Sequence, residues 1–175
     1  MKRRGLTLLC IGLLGLSSRP AAGRQLSNAE KRRRILELYH GYQKELGRFP
    51  EITVKELLAT MKRGQETLLV DAREKREQRV SMIRGAVPAG AFLERLERGR
   101  EPRGMVVVYC TIGYRSAVLV KKLARRKVQA RNLSGGILMW THHGRPLHRK
   151  GKLTQKLHVY GATWDLAPDG IQTTY

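Results

Sequence analysis

Residues 106–116 read Val106-Val107-Val108-Tyr109-Cys110-Thr111-Ile112-Gly113-Tyr114-Arg115-Ser116. Three valines and a tyrosine make a strand, Gly113 breaks the run, and the residues from Ala117 to Lys127 favour a helix, so the stretch reads as strand, short loop, helix. A loop of that kind aims several backbone amides at one spot, and the helix N-terminus adds partial positive charge. Cys110 lies at its base, where such a field favours the thiolate, the form that attacks. Counted from Cys110 to Arg115 the loop is a ring of six residues, with Ser116 expected as the N-cap of the helix. Gly113 supplies a backbone conformation that crowds other residues, and Arg115 supplies a planar fork for an oxyanion. Cys110 is therefore the candidate nucleophile. Thr111, Ile112, Gly113, Tyr114, Arg115 and Ser116 are the candidate substrate-binding residues of a pocket sized for a compact anion.

Working outward, Leu68-Leu69-Val70 ending at Asp71 reads as a buried parallel strand with a polar group at its C-terminal end. Ligand sites in open α/β sheets gather at such ends. Asp71 and Arg73 are expected to form an ion pair that supports the site rather than to do chemistry. Arg84 faces either the pocket or solvent, and Gly85-Ala86-Val87-Pro88 sets a turn and a short strand. Helices are expected over Ala91–Arg98 and Ala117–Lys127, the second with Ala117, Val118, Leu119, Val120, Leu123 and Ala124 inward. Its basic end suits the helix dipole. Gln129–Leu133 reads as the last strand, Gly135-Gly136 as a tight turn, and Trp140 as core.

Before this unit, Gln25–Leu46 carries apolar residues at helical intervals and begins at Ser27 or Asn28 as a cap. A short strand or turn near Ile52 and a helix to about Lys62 then open the domain. After it, residues 151–175 hold Leu157, Val159, Tyr160, Trp164 and Leu166 amid Gly and Pro. Aromatics of that size are costly to leave in water, so this extension is expected to wrap back on the domain.

Three ordered stretches carry a resemblance. Cys110 to Ser116 resembles the active-site loop of the rhodanese family of sulfurtransferases, in the form Cys-x-x-Gly-x-Arg-Ser of single-domain members. Val70-Asp71-Ala72-Arg73 followed by Gly85-Ala86-Val87-Pro88 is similar to the family's upstream pattern. Asn132-Leu133-Ser134-Gly135-Gly136 followed by Trp140 is similar to the downstream one. The likeness runs from near Ile52 to near Leu147, and His158-Val159-Tyr160-Gly161 with Trp164 also looks like a tail of some exported bacterial members. It implies an α/β fold: a rhodanese-like open parallel β-sheet flanked by helices, with an N-terminal helix and a C-terminal wrapping extension. The expected organisation is an export signal over 1–23, a helical segment over 24–50, the rhodanese-like domain over 51–150 and the extension over 151–175.

Composition bounds the rest. The 175 residues include 35 Lys and Arg against 14 Asp and Glu, a formal net charge of +21. Such a surface attracts anions and permits loose contact with anionic lipid or polymer. Nucleic acid is disfavoured, because no zinc spacing, RNA-binding signature or basic region joined to heptads is present and only two Phe and two Trp are available for stacking. Lys2, Arg3 and Arg4 precede a twelve-residue apolar stretch, Gly5 to Leu16, and then small residues. This is the layout of an export signal, and the stretch falls short of the ~20 residues of a spanning helix. The expected location is a bacterial periplasm; the lack of acids before Glu30 suits organelle import as well. Cleavage after Gly23 leaves Cys110 as the only thiol, so no internal disulfide can form. His142, His143, His148 and His158 lack partner ligands at metal spacing, so no metal and no cofactor are expected beyond a transient cysteine persulfide. His142 and His143 are candidates for the pocket entrance instead.

The resemblance implies a sulfurtransferase that moves a sulfane sulfur from a small anionic donor, thiosulfate or a related compound, to a thiol or cyanide-like acceptor through a Cys110 persulfide. Two alternatives stay open. A rhodanese fold can serve as a non-catalytic binding or persulfide-sensing module, although the mark of that class is loss of the cysteine. A Cys-based phosphatase or arsenate reductase uses a similar cradle, but a Cys-x5-Arg loop needs arginine at position 116, which is Ser116.

Overall fold

The computed structural model of the chain describes residues 25–175, so the expected export signal over 1–23 lies outside the described residues. At the centre is β4 (Met105–Tyr109), whose residues from Val106 to Tyr109 are fully buried. It pairs in parallel with β2 (Thr67–Asp71) on one side and β5 (Ala130–Leu133) on the other. Two-residue strands β1 (Glu51–Ile52) and β3 (Val87–Pro88) complete a five-stranded parallel sheet in the order β1-β5-β4-β2-β3.

Successive side chains of a strand point to opposite faces, and β4 divides accordingly. Val107 and Tyr109 join one apolar cluster and Val106 and Val108 the other. The second cluster is closed by α4 (Ala89–Glu97) through Phe92 and by α5 (Tyr114–Arg125) through Val120 and Leu123. The first takes Ile35 from α1 (Asn28–Leu46), Leu57 from α2 (Val54–Lys62) and Ile137 from α6 (Gly136–His142). Between β2 and β3 runs the short α3 (Lys75–Val80). Helix α1 starts with a capping box in which Ser27 and Glu30 satisfy each other's backbone amides, and Thr53 and Glu56 do the same for α2. Ala124, expected inward on α5, is exposed: it follows the fully buried Leu123 by one residue, which turns it about 100° round the helix to the outer side.

The flanking segments belong to the same core. Ile35 of α1 and Leu157 of the extension are both fully buried in one cluster with Val107. Burying each is worth about 1.5 to 3 kcal/mol. A hairpin of β6 (Leu147–Arg149) and β7 (Lys152–Thr154) leads from the domain into the extension, which then forms β8 (Lys156–His158) in parallel with β9 (Gln172–Thr174). A 3-10 turn over Ala162–Trp164 joins these last two strands. Among the described residues, no helix is long and apolar enough to cross a membrane.

Candidate active site

Strand β4 delivers Cys110 to the C-terminal edge of the sheet, where its residue is 1% exposed. The Gly113 N–H donates to its Sγ at 3.2 Å and the Ser116 hydroxyl reaches the same sulfur at 3.4 Å. Helix α5 begins at Tyr114, three residues earlier than the sequence suggests, and its N-cap is Gly113 rather than Ser116. Ser116 is thus inside the first helical turn, where its side chain serves the sulfur instead of capping the helix. Gly113 has φ 120°, a conformation that L side chains rarely adopt, and a Cβ there would lie 2.5 Å from the Tyr39 ring.

The loop is pinned from several sides. Asn132 at the end of β5 donates through Nδ2 to the Gly113 carbonyl at 3.1 Å and to the Tyr39 hydroxyl at 3.0 Å. Tyr39 donates in turn to Glu51 at 2.5 Å; burial first, and then that carboxylate, keep its phenol protonated well above the ordinary range. The first amides of α6 hold the loop from beneath, Ile137 N–H on the Cys110 carbonyl at 2.9 Å and Leu138 N–H on that of Thr111 at 3.2 Å. Gly136 carries this close approach, since a Cβ on it would strike the Cys110 carbonyl oxygen.

Asp71 and Arg73 form the expected ion pair, Nη2 to Oδ2 at 2.7 Å with both side chains fully buried. Asp71 also accepts from the Tyr109 hydroxyl at 2.8 Å, and Arg73 donates to the Ser81 carbonyl at 2.6 Å. The pair therefore fixes the residue before Cys110 and the segment after α3. Arg84 is exposed and takes no part in the site.

Arg115 departs from expectation. Its fork is occupied by Glu77, Nη1 to Oε2 at 2.6 Å and Nη2 to Oε1 at 2.9 Å, with the Glu77 side chain 0% and that of Arg115 28% exposed. Thr111 joins them, donating to Glu77 Oε1 at 3.1 Å and accepting from Arg115 Nη2 at 3.0 Å. Burial works against the Arg115 charge, but the Glu77 hydrogen bonds and the neighbouring Cys110 sulfur hold its pKa above the ordinary arginine value. Burial likewise opposes the Glu77 charge, and Arg115 overcomes it to hold the carboxyl below the usual range. Sequence reasoning missed Glu77, because its partner is 38 residues away and no local pattern links them.

Above the sulfur is a cleft of about 340 Å³ whose floor is Cys110, Thr111 and Ile112. Its walls are Tyr42, Tyr114, Arg115, Tyr160 and Trp164. The extension was expected to pack on the domain, but nothing in the sequence placed Tyr160 and Trp164 at the cysteine. A larger cleft of about 710 Å³ lies toward the opposite ends of the strands, by Gly104, Met105 and Ala130, and contains no nucleophile. His142 lines a different cleft and meets the Leu166 carbonyl at 2.8 Å, and the exposed His143 is also outside the cysteine cleft, so neither guards its entrance.

The Rhodanese-like domain family matches residues 53–143 of the chain. Among solved structures, the chain is similar to a thiosulfate sulfurtransferase from Pseudomonas aeruginosa, with TM-score 0.54 and 23% identity over 72% of this chain and 24% of that one. The chain thus spans 24% of the length of the Pseudomonas protein. It is also similar to a rhodanese-related protein from Thermoplasma volcanium, with TM-score 0.49 and 24% identity over 57% of this chain and 98% of that one. A protein from Rhodopseudomonas palustris described as a possible tyrosine phosphatase gives TM-score 0.49 and 22% identity, covering 65% and 93% of the two chains. At 23% identity the likeness to the Pseudomonas protein is one of fold. No curated protein matches the chain.

Proposed function

Since the chain belongs to the rhodanese-like domain family, we propose that it is a sulfurtransferase in which Cys110 carries the transferred sulfur. The observation that supports this most is the cysteine itself: the Cys110 Sγ forms the floor of a cleft and receives the Gly113 N–H at 3.2 Å. The Cys110 thiolate attacks the outer sulfur of a donor such as thiosulfate. A bond forms between the two sulfurs, the donor's own S–S bond breaks, and sulfite departs with the electron pair. Cys110 is left as a persulfide anion. A thiolate or cyanide acceptor then attacks the terminal sulfur and releases the Cys110 thiolate. Because sulfite leaves as a stable anion, no general acid is required.

Each neighbour has a part in this reading. The amide of Gly113 and the first turn of α5 direct about half a unit of positive charge at the persulfide. The Ser116 hydroxyl steadies the inner sulfur, and Arg115, held by Glu77, sets its charge beside it. Asp71 and Arg73 keep the strand end in place. The phosphatase alternative is disfavoured by the same geometry, since position 116 holds a serine and the arginine before it is committed to a carboxylate.

The test is thiocyanate formation from thiosulfate and cyanide. Turnover by the native chain and none by Cys110→Ser is expected, with circular dichroism confirming that the variant is folded. Equal turnover by the two would overturn the assignment of Cys110.

A further inference from the structure

The walls of the cysteine cleft form an unbroken series of contacts. The Arg115 guanidinium lies 4.6 Å from the centre of the Tyr160 ring. Tyr160 meets Trp164 edge to face, with centroids 5.5 Å apart. Trp164 donates through Nε1 to the Tyr42 hydroxyl at 3.2 Å, and Tyr42 meets Tyr114 edge to face at 5.0 Å. Tyr114 adjoins Arg115 in the chain, which closes the circuit around Cys110.

Three of the four aromatics lie outside residues 53–143, in α1 and in the extension. The wall is thus an addition by the segments that flank the family domain. Tyr160 is held in place at some conformational expense: its φ is 73°, unusual for a bulky residue, and its N–H donates to His158 Nδ1 at 3.0 Å. Backbone of this kind persists only where its surroundings enforce it.

Charge points the same way. Among the described residues, Arg115 is the one ionised side chain of the wall, and Glu77 already engages both terminal nitrogens of its fork. Arg76, on Tyr160 at 5.8 Å, is paired with Glu74 at 2.9 Å. The net charge of +21 draws anions toward the molecule as a whole. At the sulfur itself, a doubly charged inorganic anion meets the loop amide and an arginine already paired with a carboxylate, and its small body leaves the aromatic rings uncovered. A donor with one charge at its reacting end and an apolar body fits both features.

Resting on the sulfur-transfer reading above, we propose that the site is selective for organic sulfane sulfur, a thiosulfonate or persulfide whose carrier end is an apolar group of aromatic size, over inorganic thiosulfate. With a thiosulfonate, the Cys110 thiolate attacks the outer sulfur, the new S–S bond forms, the donor S–S bond breaks, and the sulfinate leaves with the electron pair. With a persulfide the leaving group is the parent thiolate. Neither path needs an oxidant or a reductant.

The experiment compares kcat/KM of the full chain for benzenethiosulfonate, methanethiosulfonate and thiosulfate, with cyanide as acceptor, each divided by the donor's rate with a free thiolate in solution. The benzene donor is expected to exceed both others by about tenfold or more, the scale of one aromatic contact. In Trp164→Ala and Tyr160→Ala its advantage over the methyl donor should fall toward one. A native chain that uses the three equally, or an aryl advantage unchanged in both variants, would overturn the proposal while leaving sulfur transfer standing. Failure of all three donors to load Cys110 would overturn the transfer reading, and this one with it.

Discussion

Arg115 and Glu77 meet end to end in a two-bond contact, at 2.6 and 2.9 Å, and join the active-site loop to α3. The pair combines a fully buried carboxylate with a guanidinium that keeps 28% exposure. Glu77→Gln should therefore cost about 3 kcal/mol, near the lower end for breaking a buried pair. Chemical denaturation checks this. Arg115→Ala should lower kcat/KM by about 100-fold, the scale of one lost oxyanion partner. Arg115→Lys should recover little, since an ammonium cannot reproduce the planar two-bond contact.

The same pair sets a pH dependence. Arg115 holds the folded Glu77 carboxyl below its usual range, so at acid pH the unfolded chain binds more protons than the folded one. The contribution is complete above the ordinary glutamate value of about 4.3 and is lost as pH falls through the lower folded value. Melting temperatures of the native chain and Glu77→Gln should differ most at neutral pH and converge under acid. A constant difference down to low pH would show that the ion pair is not its source.

Gly113→Ala should be destabilising by about 2 to 4 kcal/mol, through the unfavourable φ and the clash with Tyr39. Tyr39→Ala in the same chain should recover part of the loss, so that the double substitution costs less than the two single ones added. Denaturant midpoints at unchanged m-value measure both.

Asp71→Asn leaves Arg73 buried with its charge uncompensated and weakens the tie to the Tyr109 hydroxyl. A loss of about 3 to 5 kcal/mol is expected. If the pair is scaffold, as its absence from the cleft lining indicates, the folded variant should load sulfur at close to the native rate. Loading slowed in proportion to no loss of stability would instead assign Asp71 to the chemistry.

The sheet was legible in the sequence because its central strands are continuous apolar runs ending in polar residues, as Leu68–Asp71 and Val106–Cys110 show. The place of Cys110 at a strand end under a glycine-containing loop was legible because strand, glycine and helix fall in one short window. Two features were not. The start of α5 at Tyr114 depends on the positive φ of Gly113, which frees Ser116 from capping; the local pattern, with a good capping residue at 116, pointed to the later start. The partner of Arg115 and the cleft wall depend on contacts across the chain: Glu77 is 38 residues from Arg115, and Trp164 is 122 residues from Tyr42. Sequence periodicity shows which residues are buried, but it does not show which distant ones meet.

The most direct test of the central claim is the intact mass of the folded protein before and after thiosulfate or benzenethiosulfonate, then after cyanide, with Cys110→Ser in parallel. A gain of one sulfur atom in the native chain, removed by cyanide and absent from the variant, is the expected result. A folded native chain that gains no sulfur from either donor, or a Cys110→Ser variant that gains it equally, would contradict the account.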